Sequence, residues 1–188
     1  MTNHFDNWAL NDLFAISAIG RAKGGFGFIQ ECLDQNGSMR EETMSPPYSR
    51  QAHLLISHNF ELILDAAVFV GSTKTMEKDL INEVKVNINH QLDKLWEKVT
   101  DANVKKILGI KSIDKKVTDI FEYYEVEFDS GKVMDIHNFL SIRYDINDFR
   151  NKGGKGLRPT KNDHAMDETV HVCLELSTKL SEYVSSKY

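Results

Sequence analysis

The stretch YSRQAHLLISHNFELILDAAVFVG, residues 48–71, decides the fold class. Leu55, Asn59, Ile63, Ala66 and Val70 recur at steps of three or four residues, and Phe60, Leu64 and Ala67 form a neighbouring row. That is the period of a helix, not of a strand. Two apolar rows cover more of the circumference than the stripe of a surface helix, so this helix belongs inside a bundle or lends one face to another subunit. Pro46 and Pro47 precede or open it, because the first turn leaves its N–H groups unpaired in any case.

Working toward the C-terminus, Ile81, Val84, Ile88, Leu92, Leu95 and Val99 make a single stripe, broadened by Trp96 and faced by Lys, Glu, Asn and Asp. The pattern predicts one amphipathic helix from about Thr75 to Asp101. The segment 105–135, KKILGIKSIDKKVTDIFEYYEVEFDSGKVMD, reads two ways. Ile113, Val117, Ile120 and Tyr124 suit a helix, the preferred reading, whereas YYEVEF suits a short strand in a hairpin with DSGK as its turn. Met134 to Phe149 reads as a short helix or as one broken near Tyr144. A last helix follows a cap at Asn162 or Asp163, with Met166, Val170, Cys173, Ser177, Leu180 and Val184 on one side.

Working toward the N-terminus, a helix is expected from about Asn7 to Ala22. Its continuation through GFGFIQECL is weaker, since each of Gly20, Gly24, Gly25 and Gly27 costs about 1 kcal/mol relative to Ala in a helix interior. DQNGSMREETMSPP then has the composition of a connector. The expected architecture is an all-α, up-and-down bundle of about five helices with a long basic, glycine-rich loop before the last. Residues 1–45 form a helical extension and connector packed as one unit with the bundle at 46–188.

With 188 residues and 41% hydrophobic content, one continuous core is enough. Cys32 and Cys173 are far apart and form no CxxC pair, so they read as reduced thiols in or near the core. No apolar run approaches the roughly 20 residues of a membrane span, and the N-terminus lacks the order of a signal peptide, so the expectation is a cytoplasmic chain without a membrane partner. The net charge of −5 opposes indiscriminate nucleic-acid binding. Against that background FRNKGGKGLRPTK, residues 149–161, carries Arg150, Lys152, Lys155, Arg158 and Lys161 with no acid among them. It is a phosphate- or RNA-binding candidate, a partner-binding loop or a solvated loop, and it lacks the Gly-Lys-Ser/Thr ending of a nucleotide phosphate loop.

Three segments resemble the HEPN superfamily, the helical domains named for higher eukaryotes and prokaryotes nucleotide-binding. SHNFELILDAAVFVG at 57–71 is similar to the family's helix with Glu61 ahead of an aliphatic run. NHQLDKLWEKV at 89–99 is similar to its His-x-Leu-x-x-Leu element, here His90, Leu92 and Leu95 with Trp96. LSIRYDINDF at 140–149 is similar to the Arg-Tyr that closes the core in several members, here Arg143 and Tyr144. The resemblance spans Ser49 to Tyr188.

The resemblance implies a homodimer with one of two roles. One is an RNA-binding protein or metal-independent endoribonuclease of a defence or toxin–antitoxin system; the other is an inert helical dimerisation or adaptor module. It also implies a nucleotidyltransferase-like or other protein partner, and no cofactor. The family's ribonuclease signature is an Arg followed four to six residues later by His, often with Asn directly after the Arg. Arg143 and Arg150-Asn151 have no such His. Arg158 and His164 do have the spacing, with Pro159 between them.

On that reading His164 moves a proton near neutral pH and Arg158 holds a nonbridging phosphate oxygen. Arg150, Asn151, Lys152, Lys155 and Lys161 would line the RNA. Glu61, His90, Trp96, Arg143 and Tyr144 are read as structural, with Arg143 paired to Asp135, Asp145 or Glu61 at the bundle edge. His53 and His58 lack the spacing of paired metal ligands on a helix, and Glu61 with Asp65 alone does not make a carboxylate metal centre.

Overall fold

The computed structural model describes residues 5, 7–36, 46–85, 92–118, 121–131, 133–137 and 166–188. Their elements are, in chain order, α1 (Leu10–Asn36), α2 (Pro46–Gly71), α3 (Glu77–Lys85), α4 (Leu92–Lys98), α5 (Ala102–Leu108), β1 (Ile110–Thr118), β2 (Phe121–Phe128), β3 (Val133–His137) and α6 (Met166–Ser185). The described residues are mainly helical, as the periodicity predicts.

Helices α1 and α2 form an antiparallel pair. Phe14 meets Phe69 edge to face at 5.6 Å, and eleven positions along α1 Gly25 lies against Asn59, so α1 advances as α2 recedes. A Cβ at Gly25 would fall on the Asn59 amide, so glycine here permits the close approach of the two helices. Phe26 and Ile29 of α1 and Phe60 and Ile63 of α2 are buried in the shared core. Each fully buried Phe contributes roughly 1.5–3 kcal/mol, which outweighs the propensity cost of the glycines. That is why α1 runs unbroken to Asn36, well beyond the Ala22 boundary favoured by propensity.

Helix α6 closes the bundle against α1 and α5. Val170, Cys173, Ser177, Leu180 and Val184 are fully buried, the stripe expected of the last helix. The Ser177 hydroxyl, in this apolar face, donates to the Cys173 carbonyl at 2.8 Å and so avoids an unpaired buried polar group. Both cysteines are free thiols, and burial pushes the Cys173 thiol up.

The expected helix over 75–101 is described as α3 and α4, with residues 86–91 outside the described chain. Leu92, Leu95 and Val99 are buried as the stripe requires, but in α3 the buried side chain is Leu80 rather than the neighbouring Ile81. Ser72 Oγ donates to Glu83 Oε2 at 2.5 Å and Lys98 Nζ to the Glu83 carbonyl at 2.6 Å, tying α3 to the end of α2 and to α4.

A separate helix, α5, follows at once. The Asp101 carboxylate caps it by accepting from the N–H groups of Asn103 at 2.8 Å and Val104 at 3.1 Å. Gly109, at φ 60°, ends it in the left-handed conformation and donates to the Lys105 carbonyl.

The described residues of 110–137 depart from the all-α expectation. They form a three-stranded antiparallel meander in the order β1-β2-β3, and the hairpin reading of YYEVEF is the one found. Helical spacing at Ile113, Val117 and Tyr124 is coincidental, because both Val117 and Tyr124 also occupy ladder positions that pair with the next strand. After β2, Gly131 at φ 80° donates to the Phe128 carbonyl at 2.9 Å, the bond of a tight turn; Lys132, the last residue of the expected DSGK turn, lies outside the described residues. The register aligns Ile113, Val126 and Met134 in one cross-strand row and Asp114, Glu125 and Asp135 in the next. Ile110 and Phe128, paired at the end of the ladder, are buried in the helical core and anchor the sheet to it.

By length and composition Leu54–Gly71 is apolar enough to cross a membrane, closer to a span than the short apolar runs suggest. Of that window 67% is buried inside the protein, the burial of a bundle's central helix.

Candidate functional site

Of the residues singled out from the sequence, Arg158, His164, Arg150, Asn151, Lys152, Lys155, Lys161, His90, Arg143 and Tyr144 lie outside the described residues. Their place along the chain is fixed by α6, whose first residue Met166 follows His164 by two positions. Glu61 and Trp96 are described. Trp96 is half-buried against the core, and Lys105 Nζ lies 5.7 Å from its ring centroid. That geometry is a cation–π contact.

Glu61 lies on an edge of α2 that gathers titratable groups. His58 Nδ1 is 3.9 Å from Glu61 Oε2, one helical turn away. One turn beyond Glu61 sits Asp65, within the apolar run of α2. Burial drives the Asp65 pKa from 3.8 up to about 8, and the Glu61 charge pushes it further the same way. Arg21 of α1 and Lys85 of α3 oppose the shift without overcoming it. At neutral pH Asp65 therefore holds its proton, so it offers a hydrogen-bond donor where an ordinary aspartate offers only acceptors.

The sequence reading weighed Glu61 and Asp65 only as a carboxylate metal centre, which the two alone do not make. The signal for something else was the surrounding run, LILDAAVFV, which leaves a lone carboxyl with apolar neighbours on both sides. A second unusual group lies on the α1 side of the same helix: Asn59 is 4% exposed and its Nδ2 has no hydrogen-bond partner.

The other polar constellation joins the start of α1 to the end of α6. Asp12, buried in the first turn of α1, accepts from Lys187 Nζ at 2.9 Å and from the Tyr188 hydroxyl at 2.9 Å. The Tyr188 hydroxyl also accepts from the Ala9 N–H at 2.8 Å, and its ring stacks on Trp8 with centroids 4.7 Å apart. Near it, Tyr183 donates to Asp101 Oδ2 at 3.2 Å. These contacts are satisfied on all sides and are structural.

Among the described residues no group of three His, Cys, Asp or Glu side chains is placed to hold a metal ion. In the α2 row of Leu55, Ile63 and Val70, Ile63 and Val70 are buried in the core and Leu55 is exposed. No protein-family model matches the chain, and no curated protein or solved structure matches it either.

Proposed function

We propose that the protein is a HEPN-like helical module of the cytoplasm that binds RNA through residues 150–161, in a defence or toxin–antitoxin setting. The observation that carries this reading is the basic run itself. Five cations without an acid, in a chain of net charge −5, lead within a few residues into α6, a helix fully packed on one face. Such a segment supplies phosphate contacts that the rest of the molecule repels.

Arg158 and His164 give the module a route to metal-independent cleavage. The ribose 2′-oxygen forms a bond to phosphorus, the bond from phosphorus to the 5′-oxygen breaks, and His164 manages the proton while Arg158 holds the charge that grows on the phosphate. The rival reading is an inert homodimeric adaptor that binds a nucleotidyltransferase-like or other protein. Pro159, inside the Arg-to-His spacing, supports it.

Fluorescence anisotropy with a single-stranded RNA, run in EDTA over a salt series, tests the binding. Each of Lys152→Ala, Lys155→Ala and Lys161→Ala should weaken it and lower the salt slope by about one. Cleavage in EDTA that disappears in His164→Ala but leaves binding intact supports the ribonuclease. Binding without cleavage supports an RNA-binding module, and no binding at low salt overturns the RNA reading in favour of the adaptor.

A further inference from the structure

The face of α1 turned away from the core has a pattern of its own. Ser17, Arg21, Gly24, Phe28 and Glu31 follow one another at alternating steps of four and three residues, and all five are exposed. That spacing sets the five in one row along the helix, where a second helix laid against the face would meet them in successive layers. Phe28 is 60% exposed, the largest apolar side chain left open on this helix. A Cβ built at Gly24 meets nothing within 4 Å, and the same is true of Gly20 and Gly27 on the flank, so the helix presents a flat shelf beside a protruding ring.

We propose that this face pairs with the same face of a second copy of the chain, antiparallel, so that each Phe28 seats on the other copy's Gly24 and each Arg21 meets the other copy's Glu31. The complementarity selects both the partner and the direction. With the twofold axis at the level of Phe26, the antiparallel seam sets large against small and positive against negative in successive layers. A parallel seam would set Phe28 on Phe28, Gly24 on Gly24, Arg21 on Arg21 and Glu31 on Glu31, stacking like charges in two layers. Because one surface patch serves both subunits, the contact closes on itself as a dimer. It lies on α1, outside the segments compared with HEPN domains, and does not depend on RNA binding.

Sedimentation equilibrium of the full chain, read over a wide concentration series, tests it. The expected result is a monomer–dimer equilibrium in which Phe28→Ser raises the dissociation constant about tenfold or more. Gly24→Gln separates interface from fold: it improves helix propensity and meets no neighbour within the chain, so thermal stability of the monomer should hold or rise while the dimer weakens. Glu31→Lys, which sets two cations in each charged layer, should weaken the dimer further as salt is lowered. A monomer at every concentration, or a dimer indifferent to Phe28→Ser and Gly24→Gln, overturns the proposal.

Discussion

Asp12 and Asp65 are the same side chain set into two seams of one helical bundle, and the seams treat it in opposite ways. Asp12, between α1 and α6, is 3% exposed and has a lysine and a tyrosine hydroxyl within hydrogen-bond reach. Asp65, on α2, has cations of α1 and α3 close enough to act on it through space but too weakly to hold its charge, so it retains its proton to about pH 8. Directed hydrogen bonds and a close opposite charge are what offset the desolvation of a buried carboxyl.

The strongest way to break the contrast is to remove the paired carboxylate. Asp12→Ala should lower stability by about 3 kcal/mol, because it leaves the partly buried Lys187 ammonium and the Tyr188 hydroxyl without their acceptor. Urea denaturation measures this, and a loss under about 1 kcal/mol would show that the α1–α6 closure does not rely on the pair.

Asp65→Asn sharpens the contrast through pH. Between about 3.8 and 8 the folded chain keeps a proton that the unfolded chain has released, so the stability Asp65 contributes is complete below that window and is lost as pH rises through it. Asparagine keeps the shape and cannot titrate. Relative to the native chain, the variant should gain about 2 kcal/mol on going from pH 4 to pH 8.5, since one unit of pKa corresponds to about 1.4 kcal/mol and the residual polarity of the site tempers the full effect. A difference that does not vary with pH would mean Asp65 is ionised in the fold.

The smallest test compares two glycines of the same helix. Gly20→Ala should stabilise by roughly 1 kcal/mol, since its Cβ meets open space. Gly25→Ala should do the reverse by a similar amount, because its Cβ falls on Asn59. Melting temperatures moving in the same direction would remove Gly25 as the close-approach point of the α1–α2 seam.

These contrasts also mark what could be read in the sequence. The rows of α2 and α6 were legible because nearly every apolar position in them is buried, so pattern and packing agree. The length of α1 was not, because propensity counts four glycines as a weakness while the fold uses Gly25 as a contact and leaves Gly20, Gly24 and Gly27 at the surface. The sheet was half legible. The tight turn at Gly131 carried a local signal, but β1 mixes Lys, Asp and Ile with no clean alternation, and a bulge between Ile110 and Ser112 shifts the little there is.

For the site, the basic run and the Arg158-His164 spacing are local patterns visible in one dimension. The pairing of Asp12 with residues 175 and 176 positions away, and the isolation of Asp65, arise only when distant helices meet.

The closure of α1 by the two residues Lys187 and Tyr188 beyond α6 has a consequence for how the chain is made. The Ala9 N–H bonds to a hydroxyl 179 positions downstream. At synthesis rates of about 5–20 residues per second, the first helix waits roughly ten seconds or longer for its final covering to leave the ribosome. Until then the Asp12 end of α1 has neither its counter-ion nor its stacked ring, and the apolar stripe meant for α6 is open to water. Contacts of such long sequence separation are also the ones that slow folding most. The interval between completion of α2 and arrival of α6 is thus when a chaperone would find this protein.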